Sequence, residues 1–164
     1  MSAALETEPT PQVLDAAACI IRRLLKLGPV DTVKVQRLLY YANAWSLVSA
    51  GNPLFEDEIR AWPQGPVVAT LHPLMPGPLL FEELFVNNAC ALSPDERGCI
   101  TWTVNTYGGL SGYRLSNLAR RESPWLDAWS SAAPNDGRGA VITHRAMLGF
   151  YGIPQDQASK NPHI

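Results

Sequence analysis

The side chains most able to bind a metal are few and widely spaced in this 164-residue chain. The three histidines, His72, His144 and His163, stand alone, and no cysteine pair has the spacing of a zinc site. We interpret these histidines as ordinary surface or hydrogen-bonded side chains. The sequence therefore predicts no metal site and no cofactor.

The nucleophiles and carboxylates do not form a catalytic motif either. The serines lack the strand-to-helix turn that exposes a nucleophile, and Ser111 fits a helix N-cap better. The runs Glu56–Glu58 and Glu82–Glu83 are typical of solvated surface. The pair Gly108-Gly109 lacks the lysine and the glycine spacing of a phosphate-binding loop. We predict no catalytic residues, and an enzyme is the least favoured class.

The segment from Trp62 to Pro66, Trp-Pro-Gln-Gly-Pro, is the most distinctive local pattern. In a structural interpretation, Trp62 fills the core and Gly65 adopts a backbone conformation that other residues resist. In a functional interpretation, the turn and the residues before it form a docking surface on which Trp62 and Gln64 contact a partner, because tryptophan is favoured as an interface anchor. Both interpretations stay open.

Two aromatic neighbours form a second candidate contact. Tyr40 and Tyr41 are adjacent on a predicted helix, so their side chains point in different directions. We expect one of the two rings, that of Tyr40, to lie at least partly at the surface, and both tyrosines are candidate partner contacts. The alternative is a half-buried tyrosine with a structural role. Trp45 is expected on the apolar stripe of the same helix.

Three arginines form a small basic cluster around another predicted helix: Arg114, Arg120 and Arg121. In one interpretation the cluster is a solvated helix face with Glu122 as its partner. In the other, it contacts an acidic partner protein or the phosphates of DNA.

The overall composition bounds the class of protein. Hydrophobic residues make up 46% of the chain and the net charge is −2, which suits one domain with one core and disfavours a general nucleic-acid binder. The start of the chain lacks the pattern of a signal peptide, and the apolar runs are too short to cross a membrane. With three cysteines and no disulfide pattern, we expect a cytoplasmic protein without membrane contact.

The hydrophobic periodicity places these residues on short helices. The sequence predicts a mainly α fold, a compact single-domain helical bundle with at most a short β-strand pair near Glu58–Trp62. It also predicts a disordered leader over 1–10, a domain over 11–152 and a flexible tail over 153–164. Predicted helices run through 13–27, 32–49, 94–107, 111–121, 123–129 and 143–151, with a further short helix that begins at Pro66. On the helix over 32–49, Lys34, Arg37 and Asn43 are expected away from the core.

Two blocks of sequence carry a family resemblance. The first runs from Lys34 to Val68 and contains Gln-Arg-Leu-Leu-Tyr-Tyr-Ala, Gly-Asn-Pro-Leu-Phe and Glu-Ile-Arg-Ala-Trp-Pro-Gln-Gly-Pro-Val-Val. The second runs from Tyr107 to Trp125 and contains Tyr-Gly-Gly-Leu-Ser and Arg-Glu-Ser-Pro-Trp. Together they resemble the SocA-like Panacea antitoxin domain, which is also seen as a phage-associated domain called GepA. The resemblance spans roughly residues 11–151.

The resemblance implies a function that the pattern of residues does not. SocA-like antitoxins bind and neutralise a toxin encoded beside them, and SocA itself is a proteolytic adaptor for a ClpXP-type protease. The resemblance therefore implies a cognate toxin as partner and leaves open whether it is blocked directly or delivered for degradation. This chain has Ala119-Arg120 where the family has Thr-His, so a role of that histidine does not carry over. The alternative is a prophage-associated nucleic-acid-binding regulator, which the arginine cluster alone supports.

Overall fold

The computed structural model describes residues 8–75, 77, 79–80, 91–131 and 139–152. Most of the described chain is helical, which confirms the mainly α fold class. The helices are α1 (Pro11–Leu25), α2 (Thr32–Ala50), α3 (Pro94–Tyr107), α4 (Gly112–Arg120), α5 (Ser123–Ser131) and α6 (His144–Tyr151). The strands are β1 (Val30–Asp31), β2 (Ile59–Trp62), β3 (Gly65–Val68), β4 (Leu79–Leu80) and β5 (Val141–Ile142), and a 3-10 helix spans Ala69–Leu74.

Local side-chain chemistry sets most helix starts. A hydroxyl or carboxylate at the N-cap accepts a hydrogen bond from a free backbone N–H of the first turn, which stabilises the end of a helix. Ser93 and Glu96 form a complete capping box at the start of α3. The other side-chain N-caps are Thr10 for α1, Asp31 for α2, Ser111 for α4 and Thr143 for α6.

Helix α2 lies at the centre of the domain. It contacts α1, α3, α4, α6, β1 and β3, so nearly every face of it is buried. The expectation that Arg37 and Asn43 point away from the core is wrong, because both side chains are buried where α2 faces neighbouring segments. Lys34 is half-buried, and its Nζ donates to the Gly108 carbonyl oxygen at 2.6 Å.

The β structure is larger than the expected strand pair. Strand β2 pairs antiparallel with β3 on one side and with β5 on the other, so the sheet has the order β3-β2-β5. The expected helix does not begin at Pro66, because Pro63 and Gln64 form a tight turn that returns Gly65–Val68 along β2. The 3-10 helix begins only at Ala69. Proline is tolerated in an edge strand such as β3 because its missing N–H removes no essential ladder bond.

Several expectations fall on other parts of the chain. The tail over 153–164, most of the leader over 1–10, Glu82–Glu83 and His163 lie outside the described residues. Thr10 caps α1 and also hydrogen-bonds Asp57 through both its backbone N–H and its hydroxyl. Among the described residues, no helix has the length and hydropathy needed to cross a membrane.

Candidate functional site

Arg37 connects three elements through a single buried guanidinium group. Its side chain is 1% exposed. Nε donates to the Ser116 hydroxyl of α4 at 2.9 Å, and the two terminal nitrogens donate to the carbonyl oxygens of Pro66 at 2.8 Å and Gln64 at 3.0 Å. Helix α2 is thereby tied both to α4 and to the β2–β3 hairpin. A lysine would not replace this planar group, because its point charge cannot donate in the same fork.

The buried guanidinium remains charged at neutral pH. Burial, together with the nearby positive charge of Arg120, lowers the pKa of Arg37 to about 10, while Asp31 and Tyr41 act in the opposite direction. Its hydrogen-bond acceptors are neutral oxygens. The charge of Arg37 is therefore stabilised by the dipoles of the Ser116 hydroxyl and the two backbone carbonyls, and by the negative charge of Asp31.

Gly65 allows this arrangement. Its φ of +138° lies in a region that L side chains rarely adopt, which agrees with the interpretation of Gly65 as a glycine required by the backbone. A Cβ placed on Gly65 would lie 2.7 Å from Nε of Arg37. The guanidinium therefore passes directly against the backbone of the hairpin, where another side chain would displace it.

Two buried amides of α2 pair with backbone groups of neighbouring segments. The side chain of Gln36 accepts from the Val68 N–H at 2.8 Å and donates to the Val68 carbonyl at 3.3 Å, and so extends the pairing of β3. The side-chain oxygen of Asn43 accepts from the N–H groups of Leu54 and Phe55 at 2.7 and 3.3 Å. These bonds satisfy buried backbone groups that have no regular partner.

A buried carboxyl group forms a second polar centre. One oxygen of Glu122 accepts hydrogen bonds from the hydroxyls of Tyr41 at 2.8 Å and Tyr151 at 2.6 Å. The hydroxyls of Tyr40 and Tyr151 lie 3.0 Å apart. Burial raises the pKa of Glu122 above its ordinary value of 4.5, and the two hydroxyls and Arg121 oppose that shift. The interpretation of Glu122 as an exposed partner of the arginines is wrong.

The expectation of a surface tyrosine is also wrong. Tyr40 and Tyr41 are both 0% exposed. Tyr41 stacks on Tyr107 with ring centroids 4.3 Å apart, and Tyr40 lies edge-on to Tyr151. Adjacent residues can both be buried because α2 is surrounded by other elements. Neither ring is therefore available as a surface contact in this structure.

The pH dependence of folding should report the buried carboxyl directly. Because the native state raises the pKa of Glu122, it binds more protons than the unfolded chain between pH 4.5 and the raised pKa. Wild-type stability should therefore fall as pH rises through this window. The Glu122→Gln variant keeps an acceptor oxygen and should lack this contribution to the pH dependence.

Urea unfolding of both chains between pH 4 and pH 8 measures the difference in their free energies of unfolding. That difference should shift in favour of the Gln variant as pH rises. The exposed Asp127→Asn variant is the control and should follow the wild type. Parallel curves for wild type and Glu122→Gln would contradict a raised pKa.

The exposed part of the Trp62–Pro66 turn is small, and hydrogen bonds from neighbouring elements hold its backbone. Trp62 is half-buried, Pro63 and Gln64 are exposed, and the Nε1 of Trp125 donates to the Trp62 carbonyl at 2.9 Å. The guanidinium of Arg120 donates to the Pro63 carbonyl at 3.2 Å. We call the surface formed by Trp62, Pro63, Gln64 and Arg120 the hairpin face.

Aromatic rings extend the hairpin face on two sides. The imidazole of His72 lies 4.8 Å from the ring of Trp62, measured between centroids. Trp129 stacks on Trp125 at 5.3 Å, as the spacing of these two residues predicts, and is 42% exposed. An exposed surface that combines tryptophan, arginine and a polar amide has the composition of a protein interface.

The structure brings together some predicted site residues and separates others. Trp62, Gln64 and Arg120 share the hairpin face, whereas Arg114 lies at the opposite end of α4 and is exposed. Trp45 packs against the core, and its Nε1 donates to the Tyr107 hydroxyl at 2.9 Å. Among the described residues, no group of three or more His, Cys, Asp or Glu side chains could hold a metal ion.

The sequence analysis did not predict the buried hydrogen bonds around Arg37, Gln36, Asn43 and Glu122, which together we call the polar network. Its members outside the predicted sites are Gln36, Arg37, Asn43, Ser116, Glu122 and Tyr151. One available signal was the number of apolar residues around all sides of α2, since polar residues in the middle of such a helix are expected in the core.

The hydrogen bonds of the network join the two blocks of sequence. Arg37 reaches Ser116, Tyr41 reaches Glu122, and Trp125 reaches Trp62. A family model described as antitoxin SocA-like, Panacea domain, matches residues 35–126, more than half of the chain. Comparisons with curated proteins and with solved structures give no match. The chain belongs to the family of SocA-like antitoxins with a Panacea domain.

Proposed function

We propose that this protein is an antitoxin that binds a cognate toxin protein and neutralises it through the hairpin face. Membership of the antitoxin family supports the toxin as partner in general. The observation that carries the choice of surface is the burial of most of the family motif. With Tyr40, Tyr41, Arg37 and Glu122 in the core, the exposed residues of the two blocks lie at the end of α2 and in the segment after it, at the hairpin tip and along α4. Of these surfaces we choose the hairpin tip, because Trp62, Gln64 and Arg120 meet there.

The construction of the hairpin face favours a binding role. Its backbone is fixed from beneath by Arg37 and from the side by Trp125, so the exposed side chains are held before a partner arrives. Preorganisation raises affinity because less conformational entropy is lost on binding. Arg120, which replaces the family histidine, lies on this face and gives it a permanent positive charge.

Neutralisation has two possible routes in this proposal. Direct binding at the hairpin face would block the toxin, and delivery to a ClpXP-type protease would add a second contact elsewhere. The lifetime of the toxin in cells with and without an active protease distinguishes the routes, because direct inhibition leaves the amount of toxin unchanged.

The test of the proposed function is co-expression with the product of a small reading frame encoded beside this one. We expect rescue of growth and one shared peak in size-exclusion chromatography. The Gln64→Ala/Arg120→Ala double variant should weaken the complex by about 1–3 kcal/mol. Its free energy of unfolding should stay within about 1 kcal/mol of wild type.

A double variant with the same residue types, Gln12→Ala/Arg145→Ala, is the matched control, since both side chains are exposed outside the hairpin face. It should bind like the wild type. Separate elution and no rescue with the wild-type chain would reject the antitoxin function. If both double variants form the complex equally well, the hairpin face is not the binding surface, but the antitoxin function still stands.

The competing function is a nucleic-acid-binding regulator. It is supported by the arginines at 114, 120 and 121, all on or next to α4. The net charge of −2 speaks against it, because nonspecific affinity for DNA grows with the number of phosphates that basic side chains neutralise. Titration with labelled duplex DNA at low salt distinguishes the two functions.

A further inference from the structure

An open cleft of about 510 Å³ lies where α3 and α4 meet. Its floor is apolar and its rim is polar and basic. The lining residues are Thr106, Tyr107, Leu110, Arg114, Asn117, Leu118 and Arg121. The proposed function does not use this cleft.

Among the described residues, no carboxylate pairs directly with either arginine of the rim. Both are exposed, and within the described residues neither guanidinium forms an ion pair or a hydrogen bond. The charge of Arg121 opposes the rise in the pKa of Glu122, but that carboxyl is buried and accepts from Tyr41 and Tyr151. The positive charge of the rim is therefore available to a group that enters the cleft.

The cleft is continuous with the hairpin face. Asn117, on its rim, accepts a hydrogen bond from Arg120, and the same guanidinium reaches the Pro63 carbonyl. One partner could therefore contact both the hairpin tip and the neighbouring rim of the cleft.

We propose that this cleft binds an acidic segment of the partner protein. Carboxylates of the segment pair with Arg114 and Arg121, and an apolar side chain between them contacts Leu110 and Leu118. The proposal rests on the proposed function, because the acidic segment belongs to the same partner that binds the hairpin face. Arginine suits the task because its planar group binds a carboxylate through two parallel hydrogen bonds.

Two features favour a peptide over a nucleic-acid strand. The floor of the cleft is formed partly by leucines, which offer nothing to a phosphate but do bury an aliphatic side chain. The protein as a whole carries more acidic than basic residues, 15 against 13, so its surface repels an extended polyanion beyond these few arginines.

The first experiment does not require the natural partner. Fluorescence anisotropy compares the labelled peptide Glu-Leu-Asp-Glu-Leu-Glu with its neutral counterpart, Gln-Leu-Asn-Gln-Leu-Gln, on the full chain at low salt. We expect the acidic peptide to bind at least about tenfold more tightly and to weaken as salt rises. The Arg114→Gln/Arg121→Gln variant should lose that preference, and the exposed Arg145→Gln variant should keep it.

Three outcomes would overturn the proposal: equal binding of the two peptides, an equal loss in the Arg145→Gln control, or tighter binding of a single-stranded DNA of equal charge. The last outcome would assign the cleft to nucleic acid. A melting curve for each variant shows whether it is folded. If the double variant unfolds, the peptide preference of Arg114→Gln alone tests the proposal. Arg114 lies near the start of α4, whereas Arg121 directly precedes the buried Glu122.

A second experiment separates this proposal from the proposed function. In the complex with the neighbouring gene product, Arg114→Gln/Arg121→Gln should lower the affinity by about tenfold, and more at low salt than at high salt. If no complex forms with the wild-type chain, the proposed function fails and the peptide result still decides the cleft. If the complex forms and the double variant binds equally well, the cleft proposal alone fails.

Discussion

Replacement of Tyr41 by alanine is expected to lower the free energy of unfolding by about 3–5 kcal/mol. The side chain is fully buried, and its ring stacks on Tyr107 at 4.3 Å and lies edge-on to Tyr40 at 5.2 Å. Its loss leaves a cavity beside α3 and removes a donor from the buried carboxyl of Glu122. A thermal melt should show a decrease of about 6–20 °C for a domain of this size.

Two further variants separate the ring from the hydroxyl and from general effects. Tyr41→Phe keeps the ring and removes only the bond to Glu122, so it should cost about 0.5–1.5 kcal/mol. Tyr113→Ala removes a tyrosine that is 74% exposed and should stay within about 0.5 kcal/mol of wild type. A Tyr41→Ala chain as stable as Tyr113→Ala would place this ring outside the core.

The Arg37→Met variant is expected to lose about 2–4 kcal/mol of stability. Methionine keeps much of the aliphatic volume but leaves the Ser116 hydroxyl and the carbonyls of Gln64 and Pro66 without their donor. Relief of the cost of burying a charge offsets part of this loss. The measurement is urea unfolding at neutral pH.

The second Arg37 variant tests the geometry of the guanidinium. Arg37→Lys keeps the charge but cannot make the same three bonds, so its stability should lie between wild type and Arg37→Met. Arg114→Met, which changes an exposed arginine, is the control and should stay within about 0.5 kcal/mol of wild type. If Arg37→Met matches this control, the connection between α2, α4 and the hairpin is not important for stability.

These variants also bear on the function of the family motif. Tyr41 and Arg37 belong to the first block and are bonded to Glu122 and Ser116 in the second. Their loss should destabilise the hairpin face indirectly, whereas loss of Gln64 and Arg120 should weaken binding and change stability by no more than about 1 kcal/mol. A comparison of stability and partner affinity across the four positions therefore separates the core of the motif from its surface.

Local chemistry along the chain determined where most helices begin. Ser93 with Glu96, Ser111 and Thr143 cap α3, α4 and α6 through bonds to residues three positions away, so the sequence contains the whole interaction. The same holds for the stacking of Trp125 and Trp129 on one turn of helix. The two blocks of sequence were likewise sufficient for the family.

Tertiary structure alone decided which side of α2 is buried and what Pro66 does. A periodic pattern identifies an apolar face, but it does not count how many elements surround a helix, so Tyr40, Arg37 and Asn43 were placed outside. Pro66 fits the first turn of a helix as well as an edge strand, and pairing with β2 selected the strand. Arg37 and Tyr41 can be buried because Ser116 and Glu122, which are distant in sequence, form hydrogen bonds with them. Buried polar groups need such partners, and only the folded chain brings these together.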